Sequence, residues 1–284
     1  SGSLHSLYLI SNSIIDNGDK IGMENPTFPR AFNLFKSLKA EILPCEIDKE
    51  GIVLNNLNPK VKFIYTTPSN QYPLGVKMSL ERRKEIIKWI SNNNSIIIED
   101  DYDHEFSNLR NPIPSLYSLD NEDRIVYLGT FNKLLHPSLR IGYIIVPKFL
   151  SRSITSIYEQ SFRFVPSSTQ KIMSTFIEKD YLNKHIRNVI EIASKRKEMF
   201  ISKTRETLLI NKKKNDGLHL VANFKKKKND LKIFKSLLKE NVVAYPLSNY
   251  YFTNKKSNGL VMGYCSVNSK VLNEKTAIIN KILR

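Results

Sequence analysis

Three side chains of complementary chemistry follow two short apolar runs in this sequence. Residues 96–98 precede Asp100, and residues 125–128 precede Lys133 and Arg140. Each apolar run predicts a buried strand. The carboxyl ends of strands in an open α/β sheet face the ligand crevice. We therefore expect an amine, a carboxylate and a guanidinium to meet at one edge of a sheet.

These three groups are the parts that a site for pyridoxal 5′-phosphate (PLP) needs. The Lys133 amine can form a Schiff base with the PLP aldehyde. The Asp100 carboxylate can pair with the protonated pyridine nitrogen, and the Arg140 guanidinium can bind the phosphate through two hydrogen bonds. The alternatives are a surface lysine in a lysine-rich chain and an arginine that serves only a structural salt bridge.

Three motifs in the same order resemble a known family. They are YTTPSNQYPLG at residues 65–75, IIEDDYD at residues 97–103, and the stretch at residues 127–140 that contains Lys133. From residue 1 to about residue 266 the chain resembles the aminotransferase-like half of MocR-type transcriptional regulators, of the GntR superfamily. That family joins a winged helix-turn-helix DNA-binding domain to a fold-type I, PLP-binding domain. The resemblance implies that the DNA-binding domain would precede residue 1.

The resemblance also implies roles for single residues. It makes Lys133 the site of an internal aldimine with PLP, places Asp100 at the pyridine nitrogen, and makes Tyr102 a donor to the ring hydroxyl. The other cofactor-binding residues that it implies are Gly2, Ser3, Phe28, Asn70, Thr130, Asn132 and Arg140. Arg30 is a candidate for binding a substrate carboxylate.

Several of these positions have simpler alternatives. The Gly2–Ser3 turn opens a predicted helix, whose free backbone N–H groups suit a phosphate, but it is also an ordinary helix start or a cloning remnant. Phe28 is expected to stack on the cofactor ring, and its alternative is core packing. Asn132 stands where the family usually has serine, which weakens one phosphate contact.

Two positions favour a sensor over an enzyme. Tyr72 precedes Pro73 where many enzymes of this fold have asparagine, and Val261 stands where many aminotransferases have an arginine for the substrate carboxylate. We therefore expect a PLP-binding effector or sensor domain with little turnover of standard α-amino acids. A working class I/II aminotransferase is the alternative. The resemblance further implies a homodimer, a small amino compound as ligand, and DNA contact only through the domain absent from this chain.

The composition is typical of a globular protein. The 284 residues carry a formal net charge of +17, and 41% of them are hydrophobic. The charge invites a nucleic-acid-binding interpretation, but the lysines are spread over the chain, and the runs at residues 212–214 and 225–228 are expected in solvated loops. No segment resembles a signal peptide or a membrane span. With two cysteines and no histidine pair near the acidic cluster, we expect a cytoplasmic protein without disulfides or metal ions.

Strands and helices alternate through the first half of the sequence. This alternation predicts an α/β fold with a mostly parallel sheet in a large domain at residues 1–180. The family resemblance implies that this domain is a fold-type I PLP-dependent transferase-like domain. Gly129 and Thr130 are expected to end the strand before Lys133, and the strand at residues 140–146 to run antiparallel. A smaller α+β domain is predicted at residues 181–284, beginning with one long helix at residues 181–209.

Overall fold

A computed structural model describes residues 2–107, 112–133, 135–161, 165–211 and 217–284. Two short 3₁₀ helices occupy Pro137–Leu139 and Leu247–Tyr250. In chain order, the α-helices are α1 (Gly2–Ile14), α2 (Pro29–Ser37), α3 (Leu80–Asn92), α4 (His104–Ser107), α5 (Leu116–Leu119), α6 (Lys148–Gln160), α7 (Ser167–Glu178), α8 (Tyr181–Thr204), α9 (Asp230–Lys239) and α10 (Ser269–Leu283). The strands are β1 (Lys20–Glu24), β2 (Glu41–Cys45), β3 (Ile47–Asp48), β4 (Gly51–Ile52), β5 (Phe63–Thr66), β6 (Ile96–Asp100), β7 (Ile125–Thr130), β8 (Gly142–Ile145), β9 (Leu208–Ile210), β10 (His219–Phe224), β11 (Tyr245–Pro246) and β12 (Leu260–Gly263).

The main sheet has six strands in the order β2-β1-β5-β6-β7-β8. The first five run parallel, and β8 pairs antiparallel with β7, as the short connection between them predicted. This parallel arrangement brings the carboxyl ends of β1, β5, β6 and β7 to one edge. The predicted α/β class with a mostly parallel sheet is therefore confirmed.

Helices cover both faces of the main sheet, which explains why its central strands are apolar up to their carboxyl ends. On one face α1, α2 and α6 pack around Ile10, Phe35 and Ile154. On the other face α3 and α5 pack against the sheet through Ile86 and Leu116. The sheet is therefore held rigidly between two apolar layers, which fixes the positions of the side chains at its carboxyl edge.

The C-terminal part has its own sheet and core. Four antiparallel strands lie in the order β11-β12-β10-β9. Their apolar side chains pack with α8, α9 and α10 around residues such as Phe200, Leu237 and Ile279. The basic run at residues 225–228 lies in the loop between β10 and α9, whereas residues 212–214 lie outside the described residues.

Two predicted element ends are wrong. Gly129 and Thr130 belong to β7, where they pair with Tyr143 and Gly142 of β8. A Cβ atom at Gly129 would lie 2.1 Å from Cζ of Tyr143, so the glycine makes room for that ring. The predicted long helix ends at Thr204, because the following residues leave it to form β9 at the edge of the second sheet.

Over the described ranges, no helix combines the length and the apolar character needed to cross a membrane.

Candidate functional site

A cavity of about 590 Å³, including its open mouth, lies at the carboxyl edge of the main sheet. Thr67 follows β5, Asp100 ends β6 and Thr130 ends β7, so three neighbouring strands supply part of its wall. Among the described residues, the lining consists of Ser3, Phe28, Tyr65, Thr67, Tyr72, Asp100, Tyr102, Thr130, Asn132 and Lys133. The predicted amine and carboxylate therefore line the same cavity.

Lys133 lies in the loop between β7 and β8, which is held by local hydrogen bonds. The Asn132 backbone N–H donates to Oγ1 of Thr130 at 3.3 Å, and the Ile141 N–H donates to Oδ1 of Asn132 at 3.1 Å. The Nζ atom of Lys133 lies 3.8 Å from the centroid of the Tyr102 ring. This distance is typical of a cation–π contact, which fixes the amine inside the cavity.

The charge on Lys133 is influenced by its surroundings. The Lys133 side chain is exposed in the open cavity, but protein surrounds its amine and this burial lowers its pKa. The negative charges of Asp103 and Asp100 act in the opposite direction and raise the pKa. A lowered pKa increases the fraction of neutral amine, which is the form that attacks a carbonyl carbon.

The Asp100 carboxyl group has one bonded and one unbonded oxygen. Its Oδ2 accepts a hydrogen bond of 2.7 Å from the Tyr65 hydroxyl. Its Oδ1 is buried and has no hydrogen-bond partner within the part of the chain that the structure describes. Burial raises the Asp100 pKa to about 6, against the hydrogen bond from Tyr65 and the charge of Lys133. An unbonded buried acceptor in the cavity wall fits the N–H group of a pyridinium ring.

The other end of the cavity is formed by the N-terminus of α1. Gly2 has a φ of +74°, a conformation that glycine adopts without strain. A Cβ atom there would lie 2.4 Å from Nδ2 of Asn132 and 3.9 Å from Cζ of Arg140. Ser3 lines the cavity, while Ser1 lies outside the described residues. A helix N-terminus beside an arginine and an amide forms a site that suits a phosphate group.

Thr130 lines the cavity, and its predicted phosphate contact stays a prediction. Its hydroxyl group donates to the Ile141 carbonyl at 3.2 Å, so it is used inside the β7–β8 connection. A phosphate contact through this hydroxyl would require it to rotate away from that carbonyl. Arg140 has a φ of 53° immediately after the 3₁₀ helix Pro137–Leu139, and this turn brings it back toward Gly2.

The aromatic side of the cavity is centred on Tyr72. Its ring meets Phe28 edge to face, with centroids 5.6 Å apart, and meets Tyr102 in the same way at 5.9 Å. Phe28 lines the cavity, and its stacking on the cofactor ring stays a prediction. The structure also places His219 of β10 against Tyr72, with centroids 4.9 Å apart.

Asn70 and Tyr102 are arranged differently from the prediction. Asn70 is buried outside the cavity lining, and its Nδ2 donates to Oδ2 of Asp103 at 2.8 Å. The Tyr102 hydroxyl donates to the Asn70 carbonyl at 2.8 Å, so in this structure it is not available to a ring hydroxyl. Tyr72, two residues after Asn70, occupies the wall that the asparagine was predicted to contribute. Asp103 is 1% exposed and is therefore a buried carboxyl group.

Arg30 and Val261 are the two remaining positions that the sequence singled out. Arg30 is exposed near the start of α2 and does not line the cavity. Val261 is 3% exposed in β12, where it packs with Tyr250 and Leu247 against the Tyr72 loop. The side of the C-terminal sheet that faces this loop is therefore apolar and aromatic at the position of Val261.

Three cavity residues were not predicted as site residues: Tyr65, Thr67 and Tyr72. Thr67 donates to the buried Glu24 through its hydroxyl at 2.9 Å, and the same hydroxyl accepts from the Tyr72 N–H at 2.9 Å. The strand-end rule that identified Asp100 would also have identified Thr67. Tyr65 gave no such signal, because it lies inside an apolar strand and resembles a core residue.

The buried acids predict an unusual pH dependence of stability. Burial raises the pKa of both Asp100 and Asp103 to about 6, above the ordinary value of 3.8. Between about pH 4 and pH 6 the folded chain therefore holds more protons than the unfolded chain, and the free energy of unfolding falls as pH rises. For each group, a pKa that is higher by one in the folded chain corresponds to about 1.4 kcal/mol. Urea unfolding of PLP-free protein from pH 4.5 to pH 7.5 should show this decrease, and Asp100→Asn should flatten it. An equal slope in the variant would contradict the assignment.

The chain is similar to a family of enzymes and to a group of regulators. Residues 1–274 match the family model of aminotransferase class I and II. The chain is 33% identical over 261 residues to the uncharacterized HTH-type transcriptional regulator YdeL of Bacillus subtilis, covering 89% of this chain and 56% of that protein. It is 30% identical over 278 residues to the probable rhizopine catabolism regulatory protein MocR of Rhizobium meliloti, covering 96% and 56%. The chain spans about half the length of these curated relatives.

Aminotransferases are also similar to this chain. It is 33% identical over 217 residues to aromatic-amino-acid aminotransferase 1 of Thermococcus litoralis, covering 72% of this chain and 52% of that enzyme. A solved kynurenine aminotransferase of Pyrococcus horikoshii, in complex with PMP, superposes with a TM-score of 0.88 at 24% identity, covering 99% and 73%. The α-aminoadipate aminotransferase LysN of Thermus thermophilus, complexed with N-(5′-phosphopyridoxyl)-L-leucine, has a TM-score of 0.87 at 21% identity, covering 99% and 75%. At these identities the solved structures establish a shared fold.

Proposed function

Because this chain belongs to the aminotransferase class I and II family, we propose that it binds PLP through Lys133 and is the sensor part of a MocR-type transcriptional regulator. The observation that carries the proposal is the shared cavity of Lys133 and Asp100, together with the unbonded Oδ1 of Asp100. The similarity to HTH-type regulators over most of the chain favours a regulator.

The residues present fit the cofactor at both ends. Asp100 would accept the pyridine N–H, and the N-terminus of α1 with Asn132 and Arg140 would hold the phosphate. Phe28 and Tyr72 border the space between the two ends. When bound, PLP supplies an aldehyde that exchanges between amines and a ring that accepts electrons.

The protein's own residues prepare the amine and orient the ligand. Lys133 is held over the Tyr102 ring with a lowered pKa, which favours the neutral nucleophile. Tyr65 holds one oxygen of Asp100 and leaves the other without a hydrogen-bond partner among the described residues. Lys133 would hold the cofactor, and an amino compound in the cavity would compete with its amine for the aldehyde. A change at Lys133 would reach the C-terminal sheet through the Tyr102 ring, which lies 6.5 Å from the ring of His219 in β10, and an attached DNA-binding domain would respond.

A homodimer is part of the proposal. The helices α7 and α8 pack against each other and expose three large apolar side chains: Ile172, Ile177 and Ile192. Exposed apolar side chains on neighbouring helices are typical of a surface that a partner covers. The partner proposed here is a second copy of this chain, and DNA contact is proposed only through a domain that this chain does not contain.

An active aminotransferase is the second candidate, favoured by the 33% identity to the Thermococcus litoralis enzyme. Stopped-flow absorption of PLP-loaded protein mixed with a panel of amines and amino acids separates the two. A sensor is expected to change its spectrum without releasing a stoichiometric carbonyl product. An enzyme releases one equivalent of keto acid in the first turnover, and that result would overturn the sensor assignment. A chain that binds no PLP would contradict both candidates.

A further inference from the structure

Asp103 is a buried carboxylate that lies outside the lining of the cavity described above. It is 1% exposed and does not line the cavity. Its Oδ2 accepts one hydrogen bond, from the Asn70 amide at 2.8 Å, and its Oδ1 is buried without a partner among the residues described. A buried carboxylate with an unbonded oxygen is costly unless a nearby positive charge compensates it.

Three contacts fix the position of Asp103 beside the cavity. The Asn70 amide holds Oδ2, and the carbonyl of the same Asn70 accepts from Tyr102, whose ring lies under the Lys133 amine. Gly217 closes the third side, since a Cβ atom there would lie 2.4 Å from Oδ2 of Asp103 and 2.3 Å from Nδ2 of Asn70. The carboxylate therefore cannot turn toward solvent without displacing several buried groups.

The charged groups around Lys133 leave a clear role for Asp103. Asp100 and Asp103 are the two acids whose negative charges act on the Lys133 amine. Tyr65 and Tyr102 remain neutral because burial raises their pKa well above the ordinary value. His219 is also neutral, since burial and the charge of Lys133 lower its pKa to about 3.

We propose that Asp103 is a second counter-ion of the Lys133 amine, acting alongside Asp100. The inference rests on the proposed role of Lys133 as the PLP-binding amine, and it assigns different roles to Asp100 and Asp103. Asp100 faces the cavity with a free acceptor for the ligand, whereas Asp103 stays behind the wall with no access to it. A charge kept outside the cavity raises the pKa of the lysine nitrogen against the effect of burial, whatever occupies the cavity. Asp103 is thus a positioning residue that acts through Lys133.

The test uses the chain without added PLP, so it is independent of cofactor binding. Lysines are ¹³C-methylated, and the Lys133 signal is identified by its absence in Lys133→Arg and followed by NMR against pH. Asp103→Asn keeps the shape and the hydrogen bond from Asn70 but removes the charge. It is expected to lower the Lys133 pKa by about 1 to 3, the usual effect of an opposite charge at short range.

Asp101→Asn is the matched control. Asp101 is equally buried in the same acidic stretch, but its Oδ2 accepts from the Tyr127 hydroxyl at 3.1 Å and lies near His104. Removing its charge should change the Lys133 pKa by less than half as much. An unchanged Lys133 pKa in Asp103→Asn, or equal changes in the two variants, would overturn the proposal.

A reciprocal measurement covers the case in which Asp103→Asn does not fold. The Lys133 charge lowers the Asp103 pKa, which burial has raised to about 6. Lys133→Met should therefore raise the Asp103 pKa further, as measured by ¹³C NMR of the carboxyl carbon. No rise would refute the pairing. If both titrations behave as expected but no PLP binds, the counter-ion inference stands and the proposed function fails.

Discussion

Replacing Lys133 with alanine is expected to abolish the near-visible absorption band that PLP acquires when it attaches covalently to the protein. Lys133 is the lysine of the cavity lining, and its amine lies over the Tyr102 ring on the same cavity as Asp100. Without it, PLP can bind only non-covalently and should be lost on gel filtration. The measurement is the absorption spectrum of protein incubated with PLP and then desalted.

Lys148→Ala is the matched control for this experiment. Lys148 is exposed at the first residue of α6, outside the cavity lining. The control variant should retain the full band. A band of undiminished intensity in Lys133→Ala would mean that another lysine carries the cofactor, and the site assignment would be wrong.

The Asp100→Asn substitution is expected to weaken PLP binding while making the PLP-free chain more stable. The variant loses the negative charge that would pair with the pyridinium group, and loss of one partner of a buried pair costs about 3 kcal/mol, or about 100-fold in Kd. In the free chain at pH 8 the same substitution removes the buried negative charge of Asp100. Burial disfavours this charge, because it raises the pKa of the carboxyl group to about 6. Lower affinity and higher Tm together are the signature of a residue kept for its ligand.

The affinity is measured by fluorescence titration with PLP and the Tm by calorimetry. Asp123→Asn is a suitable control, because Asp123 is exposed and has a φ of 54° that asparagine also tolerates. Neither the PLP affinity nor the Tm of the Asp123→Asn variant should change appreciably. An unchanged Kd in Asp100→Asn would show that the Oδ1 acceptor does not face the cofactor.

The strands that carry the chemistry were predictable because they are buried on both faces. β6 and β7 are apolar along their length, and both end in polar residues, which is a strong signal in a single sequence. The rule that parallel strands share a carboxyl edge then brought Asp100 and Lys133 together without any tertiary information.

Residues whose roles depend on contacts distant in sequence were harder to predict. Tyr65 resembles a core residue until its hydroxyl is seen to bond Asp100, 35 positions away. Asn70 and Tyr72 are two residues apart, and the sequence could not determine which of them faces the cavity. The burial of Asp103 could not be predicted, because it depends on Gly217 from the C-terminal part.

The predicted ends of β7 and α8 were wrong for a related reason. Glycine and threonine usually signal the end of a strand, but Gly129 and Thr130 continue β7 because β8 returns beside them. The apolar residues after Thr204 continue a helical pattern, yet pairing with β10 makes them a strand. In both cases a neighbouring strand supplies hydrogen bonds that local sequence does not reveal.

The central claim is that the amine of Lys133 is the group to which PLP attaches. Borohydride reduction of the PLP-treated chain makes the attachment permanent, and peptide mass spectrometry then locates it. The prediction is one phosphopyridoxyl group per chain, on the peptide that contains Lys133. A label spread over exposed lysines, or concentrated on a lysine outside the cavity, would contradict the account.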